Sequence, residues 1–116
     1  MIRLAATLLL VLLAASPGLA LENSQLVASG SDQGAALFQL HCAGCHLNGG
    51  NILRRGKTLK QAALERQGLA SEQAIAAIAA SGVGQMSGYR DALGDDGIAE
   101  VAAWVWAQAQ AGWPRA

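Results

Sequence analysis

The stretch HCAGCHLNGG, residues 41–50, contains both cysteines and both histidines of this 116-residue chain. Two residues separate the two thiols, and a histidine follows the second thiol directly. Three kinds of chemistry use such an arrangement: a redox-active dithiol, a metal site and a covalently attached haem. The rest of the sequence has to distinguish among these three.

The surroundings of the cluster disfavour the first two possibilities. A thioredoxin-type dithiol lies next to a βαβ unit, and no strand-like alternation of apolar and polar residues occurs here. A structural zinc ion needs about four ligands in a tetrahedral array. The candidate ligands all fall within residues 41–46, which is too crowded for that geometry, and no second Cys or His pair exists to complete the site.

Cys-x-x-Cys-His is also the attachment motif of c-type haem. In this interpretation the thiols of Cys42 and Cys45 form thioethers with the haem vinyl groups, and the imidazole of His46 is an axial ligand of the iron. With one Phe, one Tyr and three Trp, the chain has little large apolar volume, which a haem would supply. The sequence therefore predicts one covalently bound haem c. His41 is expected to be a partly exposed side chain without a special role.

Met86 is the candidate for the second axial ligand. It is the only methionine besides Met1, and it lies in a Gly-rich segment without a helical apolar stripe that it could join. A thioether ligand raises the reduction potential of haem iron and suits electron transfer. With His46 and Met86 on the iron, no substrate could bind there. The sequence also offers no acid–base constellation, so we do not expect an enzyme.

Residues 1–20 have the features of a secretory signal peptide. An unbroken run of mostly apolar residues covers positions 4–15, and small residues precede a cleavage site after Ala20. A membrane anchor is the alternative, but this run is shorter than the roughly 20 residues that a spanning helix needs. Residues 21–116 are then the mature domain, exported and without a membrane span. The zero formal net charge gives no basic field for nucleic acid.

Helix start and stop signals recur along the mature domain and predict an all-α fold. In the last helix, the positions of Ile98, Val101, Ala102 and Val105 follow the spacing of one buried face. The predicted helices are residues 33–42 after Ser31 and Asp32, 59–67 with a Thr58–Gln61 capping box, 72–81 between Ser71 and Gly82, and 97–111 between Asp95 or Asp96 and Gly112.

Three segments carry a resemblance to a known family: GAALFQLHCAGCHLNGGNILRRGKTLKQAALE (34–65), SEQAIAAIAASGVGQM (71–86) and GIAEVAAWVWAQAQAGW (97–113). Together they resemble class I cytochrome c, and specifically the cytochrome c6 group of cyanobacteria and algae, over roughly residues 26–113. The resemblance implies about four helices wrapped around one covalent haem. It also implies a crossing of the first and last helices, with Gly34 and Phe38 against Trp104.

The resemblance further implies a function and a location. Members of the group are soluble lumenal carriers that take single electrons from the cytochrome b6f complex to photosystem I. For this chain we therefore expect a monomer in the thylakoid lumen or periplasm that docks transiently with these membrane complexes or with a terminal oxidase. The group keeps Asn and Lys at the positions of Asn51 and Lys57, near the haem edge.

Two departures from the group affect this expectation. Ser87 stands where the group usually has Pro after the ligand Met, and Ile78 stands where the photosynthetic branch usually has Gln. The first departure leaves open an alternative function, a haem-based peroxidase or ligand sensor with a labile sixth ligand. The second indicates a carrier of lower potential. The basic residues Arg54, Arg55, Lys57 and Lys60 are either a solvated loop or a docking surface.

Overall fold

The computed structural model describes residues 32–115, which form helices connected by loops. The predicted all-α fold with about four helices is confirmed. The predicted signal peptide and its cleavage site lie outside the described residues, as does Ser31. Between residues 32 and 115 there is no strand, only an isolated antiparallel bridge. The elements are α1 (32–41), a 3-10 turn (Leu47–Gly49), α2 (Gln61–Arg66), α3 (Glu72–Ser81) and α4 (Arg90–Ala111).

The core forms around one face of α4. The four residues predicted to form that face are all buried, because residues three and four apart lie on the same side of a helix. Trp104 and Trp106, on either side of this face, are both half-buried against the core. The buried members of the core cluster are Phe38, Leu64, Ile75, Val101, Ala102, Val105, Ala109 and Trp113.

Helices α1 and α4 lie in close contact at Gly34. A Cβ atom placed on Gly34 would lie 2.6 Å from the carbonyl oxygen of Glu100 and 2.7 Å from the Cβ of Trp104. A side chain at this position would therefore force the helices apart. One turn further along α1, the ring of Phe38 packs against Trp104, with the ring centroids 4.8 Å apart. The crossing expected from the family resemblance is present at the expected residues.

Two predicted helix starts differ from the structure. Helix α2 begins at Gln61 after Lys60, and no side chain caps it, so the Thr58 capping box is wrong. Lys60 has an extended backbone, with φ −65° and ψ 144°, so the helix starts only after it. The N–H of Leu59, which precedes Lys60, donates to the carbonyl of Gly49 at 2.7 Å. Helix α4 already begins at Arg90, although non-helical dihedrals at Gly94 break it just before the predicted start.

The other predicted helix boundaries agree with the structure to within one residue. The Ser71 hydroxyl accepts a hydrogen bond from the N–H of Ala74 at 3.1 Å, which satisfies one of the free donors at the start of α3. Helix α3 ends at Gly82, and α4 ends at Gly112. No helix within residues 32–115 combines the length and the hydrophobicity needed to cross a lipid bilayer.

Candidate functional site

The cysteine–histidine cluster forms a tight turn directly after α1. The N–H groups of Cys42 and Ala43 both donate to the carbonyl of Phe38, at 2.8 and 2.9 Å. The N–H of His46 then donates to the carbonyl of Cys42 at 2.9 Å, and that of Cys45 to the same carbonyl at 3.2 Å. Residues three and four apart in such a turn project from the same side of the chain. The cluster is thereby fixed to the core through Phe38.

The two thiols have the wrong surroundings for dithiol redox chemistry. Reactive thiols are found at helix N-termini or near positive charges, where their pKa is lowered. Here the cluster follows the C-terminal end of α1, and burial raises the pKa of the Cys42 thiol. Both cysteines are free rather than joined in a disulfide. The local electrostatics thus agree with the sequence-based argument against a redox dithiol.

The ring of His46 is held by one backbone carbonyl. Its Nδ1 lies 2.7 Å from the carbonyl oxygen of Gly50. Since a carbonyl can only accept, Nδ1 is the donor, and in a neutral imidazole this makes Nε2 the nitrogen with a free lone pair. A hydrogen bond of this kind is the usual way in which proteins orient a metal-ligating imidazole and raise its basicity. The sequence offered no signal for this contact, because every residue has a carbonyl.

Met86 closes a four-residue turn that follows α3. The N–H of Val83 donates to the carbonyl of Met86 at 3.0 Å, and the N–H of Met86 donates back to the carbonyl of Val83 at 2.9 Å. Beyond the turn, the N–H of Tyr89 donates to the carbonyl of Ala79 at 2.8 Å. The Met86 side chain is half-buried. This segment is therefore more closely hydrogen-bonded than its glycine content indicates.

The loop between the cluster and α2 is organised by Asn51. Its side-chain oxygen accepts from the N–H groups of Leu53 and Arg54 at 3.0 and 2.8 Å, and its Nδ2 donates to the carbonyl of Lys57 at 3.0 Å. Asn is common in turns because its side chain can replace backbone hydrogen-bond partners in this way. The sequence signal for this role is local, because an Asn after two glycines is typical of a turn.

His41 is half-buried, and its ring lies edge-on to that of Tyr89 at a centroid distance of 5.9 Å. This contact joins the end of α1 to the residue that precedes α4. The expected partial exposure of His41 is confirmed, and its lack of a role at the iron stays a prediction.

The residues around the cluster fit a haem group. The donor set is a free imidazole nitrogen, a thioether and two free thiols, which are the groups that c-type haem uses. Large apolar side chains lie on the segments that flank these donors, and Ile52, Leu53 and Val83 are each more than half exposed. A flat apolar group bound between the segments would cover such side chains, and their burial would be favourable.

Comparison with known proteins gives a consistent result. The family described as cytochrome c oxidase, cbb3-type, subunit III, matches residues 30–105. A cytochrome c6-like protein of Nostoc sp. (strain PCC 7120) is 49% identical over 80 residues, which cover 69% of this chain and 72% of the relative.

Two solved structures show the same similarity. The structure of cytochrome c6B from Synechococcus sp. WH8102 is 61% identical, with a TM-score of 0.69, and the match covers 72% of this chain and 96% of that one. The structure of cytochrome c6C from Synechococcus sp. PCC 7002 is 51% identical, with a TM-score of 0.68, covering 70% and 99%. The chain belongs to the class I cytochromes c, in the cytochrome c6 group; it is a haem electron carrier whose cofactor is covalent haem c.

Proposed function

We propose that this member of the cytochrome c6 group carries single electrons on one haem that is attached through Cys42 and Cys45 and held by His46 and Met86 as axial ligands. The haem, when bound, supplies the one-electron couple of its iron. The observation that carries the proposal is the hydrogen bond from Nδ1 of His46 to Gly50, which leaves Nε2 of that imidazole free to bind iron. A fixed imidazole also changes little between the two oxidation states, which favours fast transfer.

Two axial ligands from the protein support a carrier rather than an enzyme. If His46 and Met86 both hold the iron, neither peroxide nor a diatomic ligand would find a free site on it. The rival function, a peroxidase or ligand sensor, requires Met86 to leave readily, and Ser87 in place of Pro makes the backbone after Met86 less restricted. The reciprocal hydrogen bonds between Val83 and Met86 restrict the same segment from the other side and support the carrier.

The proposed setting of this activity follows from the N-terminal sequence and from the family. Residues 1–20 read as an export signal, and covalent attachment of haem c takes place outside the cytoplasm, in the thylakoid lumen or periplasm. The proposed partners are membrane complexes that exchange single electrons: cytochrome b6f as donor, and photosystem I or a terminal oxidase as acceptor. Each would dock transiently, because a carrier has to leave one partner before it meets the next.

The axial ligands are tested by the visible absorption spectrum of the oxidised holoprotein. The wild-type protein is expected to show the weak far-red charge-transfer band of a thioether–iron bond, and Met86→Ala is expected to lose it and to have a lower midpoint potential. Gln85→Ala, in the same turn and exposed, is the matched control and should keep the band. Identical spectra for wild type and Met86→Ala would contradict the assignment of Met86.

The same preparation tests the attachment through Cys42 and Cys45. Extraction with acidified acetone is expected to leave the haem on the polypeptide, and the mass of the mature protein should exceed that of the polypeptide by one haem. Haem that moves into the organic layer would contradict the thioether assignment.

A further inference from the structure

Trp113, next to the C-terminal end of the domain, has a backbone conformation that is unusual for a bulky residue. Its φ is +54°, in the left-handed region, where residues other than Gly, Asn and Asp are rare and pay of order 1–3 kcal/mol. Such a conformation persists only where the surrounding contacts determine it. Trp113 is 8% exposed, and its N–H donates to the carbonyl of Gln108 at 2.9 Å. The indole is thereby turned back from the end of α4 into the core.

The indole contacts two segments that are far from it in sequence. Its Nε1–H donates to the carbonyl of Leu59 at 2.9 Å. The face of the ring lies directly against the backbone of Gly49, so that a Cβ at that position would overlap the Cε2 atom of Trp113. Gly49 also has a φ of +77°, which a residue with a side chain adopts only at a cost. The close approach of ring and backbone thus depends on glycine at position 49.

These contacts lead directly to the axial histidine. The N–H of Leu59 donates to the carbonyl of Gly49 at 2.7 Å, which joins the two segments that the indole touches. The N–H of Gly49 donates to the carbonyl of His46 at 2.9 Å. The next carbonyl along the chain, that of Gly50, is the acceptor for Nδ1 of His46. The indole therefore packs on the peptide adjacent to the one that orients the imidazole.

A second set of contacts links the indole to the turn that carries Cys42 and Cys45. The ring centroid of Trp113 lies 5.4 Å from that of Phe38 and 5.7 Å from that of Trp104. The carbonyl of Phe38 accepts hydrogen bonds from Cys42 and Ala43 at the start of the cysteine turn. One side chain thus packs against both the residue that anchors Cys42 and the glycine that precedes the acceptor of His46.

We infer that Trp113 is a positioning residue for His46: its indole clamps Gly49 and Leu59 together and so holds the Gly50 carbonyl on Nδ1 of the imidazole. The inference rests on the proposed function, since it takes His46 as the iron ligand. A firm hydrogen bond to Nδ1 raises the basicity of the imidazole and so stabilises the oxidised iron. Loosening the clamp is therefore expected to weaken this bond and to raise the midpoint potential.

The test compares Trp113→Phe with Trp106→Phe in the full holoprotein. Trp113→Phe keeps an aromatic ring in the core but removes the donor to Leu59. Trp106 is half-buried on α4, and among the described residues no aromatic ring pair or side-chain hydrogen bond involves it, so Trp106→Phe is the matched control. Two quantities are measured. The first is the hydrogen-exchange rate of the His46 Nδ1–H divided by that of the Val105 amide in the α4 core, and the second is the midpoint potential.

In Trp113→Phe the His46 Nδ1–H should exchange about fivefold faster relative to the core amide, since one net hydrogen bond is worth ~1 kcal/mol and 1.4 kcal/mol corresponds to a factor of ten. The midpoint potential should rise in this variant, while both quantities stay at the wild-type values in Trp106→Phe. Unchanged relative exchange and an unchanged potential in Trp113→Phe would overturn the inference. So would equal changes in the two variants, because a merely structural role in the core predicts them.

If Trp113→Phe folds poorly, hydrogen exchange of the wild-type holoprotein still tests the inference. The indole N–H of Trp113, the amide of Leu59 and the Nδ1–H of His46 are expected to exchange with one common opening free energy. Much faster exchange at the indole than at the imidazole would show that His46 stays in place when Trp113 leaves, which would overturn the inference. The absorption spectrum separates the two hypotheses. If the wild-type spectrum shows the far-red band of the Met86–iron bond but neither exchange nor potential responds to Trp113→Phe, only the role of Trp113 is contradicted. If the wild-type spectrum shows no imidazole ligand on the iron, the proposed function itself is contradicted.

Discussion

Replacing Gly34 with alanine tests the crossing of α1 and α4 on which the core depends. The new methyl group would lie 2.6 Å from the carbonyl oxygen of Glu100 and 2.7 Å from the Cβ of Trp104. Both atoms belong to the backbone of α4 or are bonded directly to it, so neither can move aside by a change of rotamer. The helices would have to separate by several tenths of an ångström, which would loosen the contact between Phe38 and Trp104.

Two effects of opposite sign determine the size of the change. Overpacking a core costs about 1–3 kcal/mol, and contacts below 3 Å with backbone atoms place this site in the upper half of that range. Alanine is favoured over glycine inside a helix by about 0.5–1 kcal/mol. The net loss is therefore about 1–2.5 kcal/mol. For a domain of this size, ~1 kcal/mol lowers the Tm by about 4–8 °C, so the expected decrease is roughly 4–20 °C.

The assay is thermal unfolding of the oxidised holoprotein, followed by circular dichroism. Gly56→Ala is the matched control: a Cβ placed on Gly56 has no heavy atom within 4 Å, and Gly56 is not among the residues with positive φ. Its Tm should stay within a few degrees of the wild-type value. A Tm for Gly34→Ala at or above that of the wild type would refute the reasoning, because helix propensity alone predicts that outcome.

Two further predictions concern the redox properties and the docking. Ile78→Gln should raise the midpoint potential, because an amide donor near the iron ligands favours the reduced state. A contact worth about 1–2 kcal/mol corresponds to a shift of roughly 40–90 mV, at ~59 mV per 1.4 kcal/mol. Redox titration measures this shift. Replacing both Arg54 and Arg55 with Gln should lower the bimolecular electron-transfer rate to an acidic partner at low salt and flatten its dependence on ionic strength, because long-range attraction steers encounter.

Each of these predictions has a control of the same chemical kind. Ala77→Gln places an amide on the exposed side of α3 and should leave the potential unchanged. A fall in potential for Ile78→Gln, or equal shifts in the two variants, would contradict the proposed effect. Replacing the exposed Arg66 and Arg115 with Gln removes the same charge elsewhere. Equal electron-transfer rates for the two double variants would show that the basic residues Arg54, Arg55, Lys57 and Lys60 form a solvated loop and not a docking surface.

The basic cluster lies in a loop whose shape depends on Asn51. Arg54, Arg55, Lys57 and Lys60 are all exposed, and two of the three hydrogen bonds of Asn51 end on the peptides of Arg54 and Lys57. The four basic side chains thus share one exposed segment, whose part in docking the charge replacement above tests.

Short-range patterns in the sequence were sufficient for much of the fold. Ser71 caps α3, Gly82 and Gly112 end α3 and α4, and the apolar spacing of α4 predicted its buried face. Each of these features depends on residues no more than one or two helical turns apart, so the chain specifies it locally. The grouping of two thiols with a histidine is equally local, and it was enough to predict a covalent haem.

Features that depend on distant contacts were decided only by the tertiary structure. The Thr58 capping box failed because the backbone at Lys60 is extended, in a segment that bonds to the distant Gly49 through the N–H of Leu59. The indole of Trp113 reaches Leu59 across 54 residues of sequence. Trp113 follows a helix-ending glycine and belongs to no periodic pattern, so nothing local marked it. The turn that presents His46 is local, but the groups that hold this turn in place come together only when the end of the chain packs back on the core.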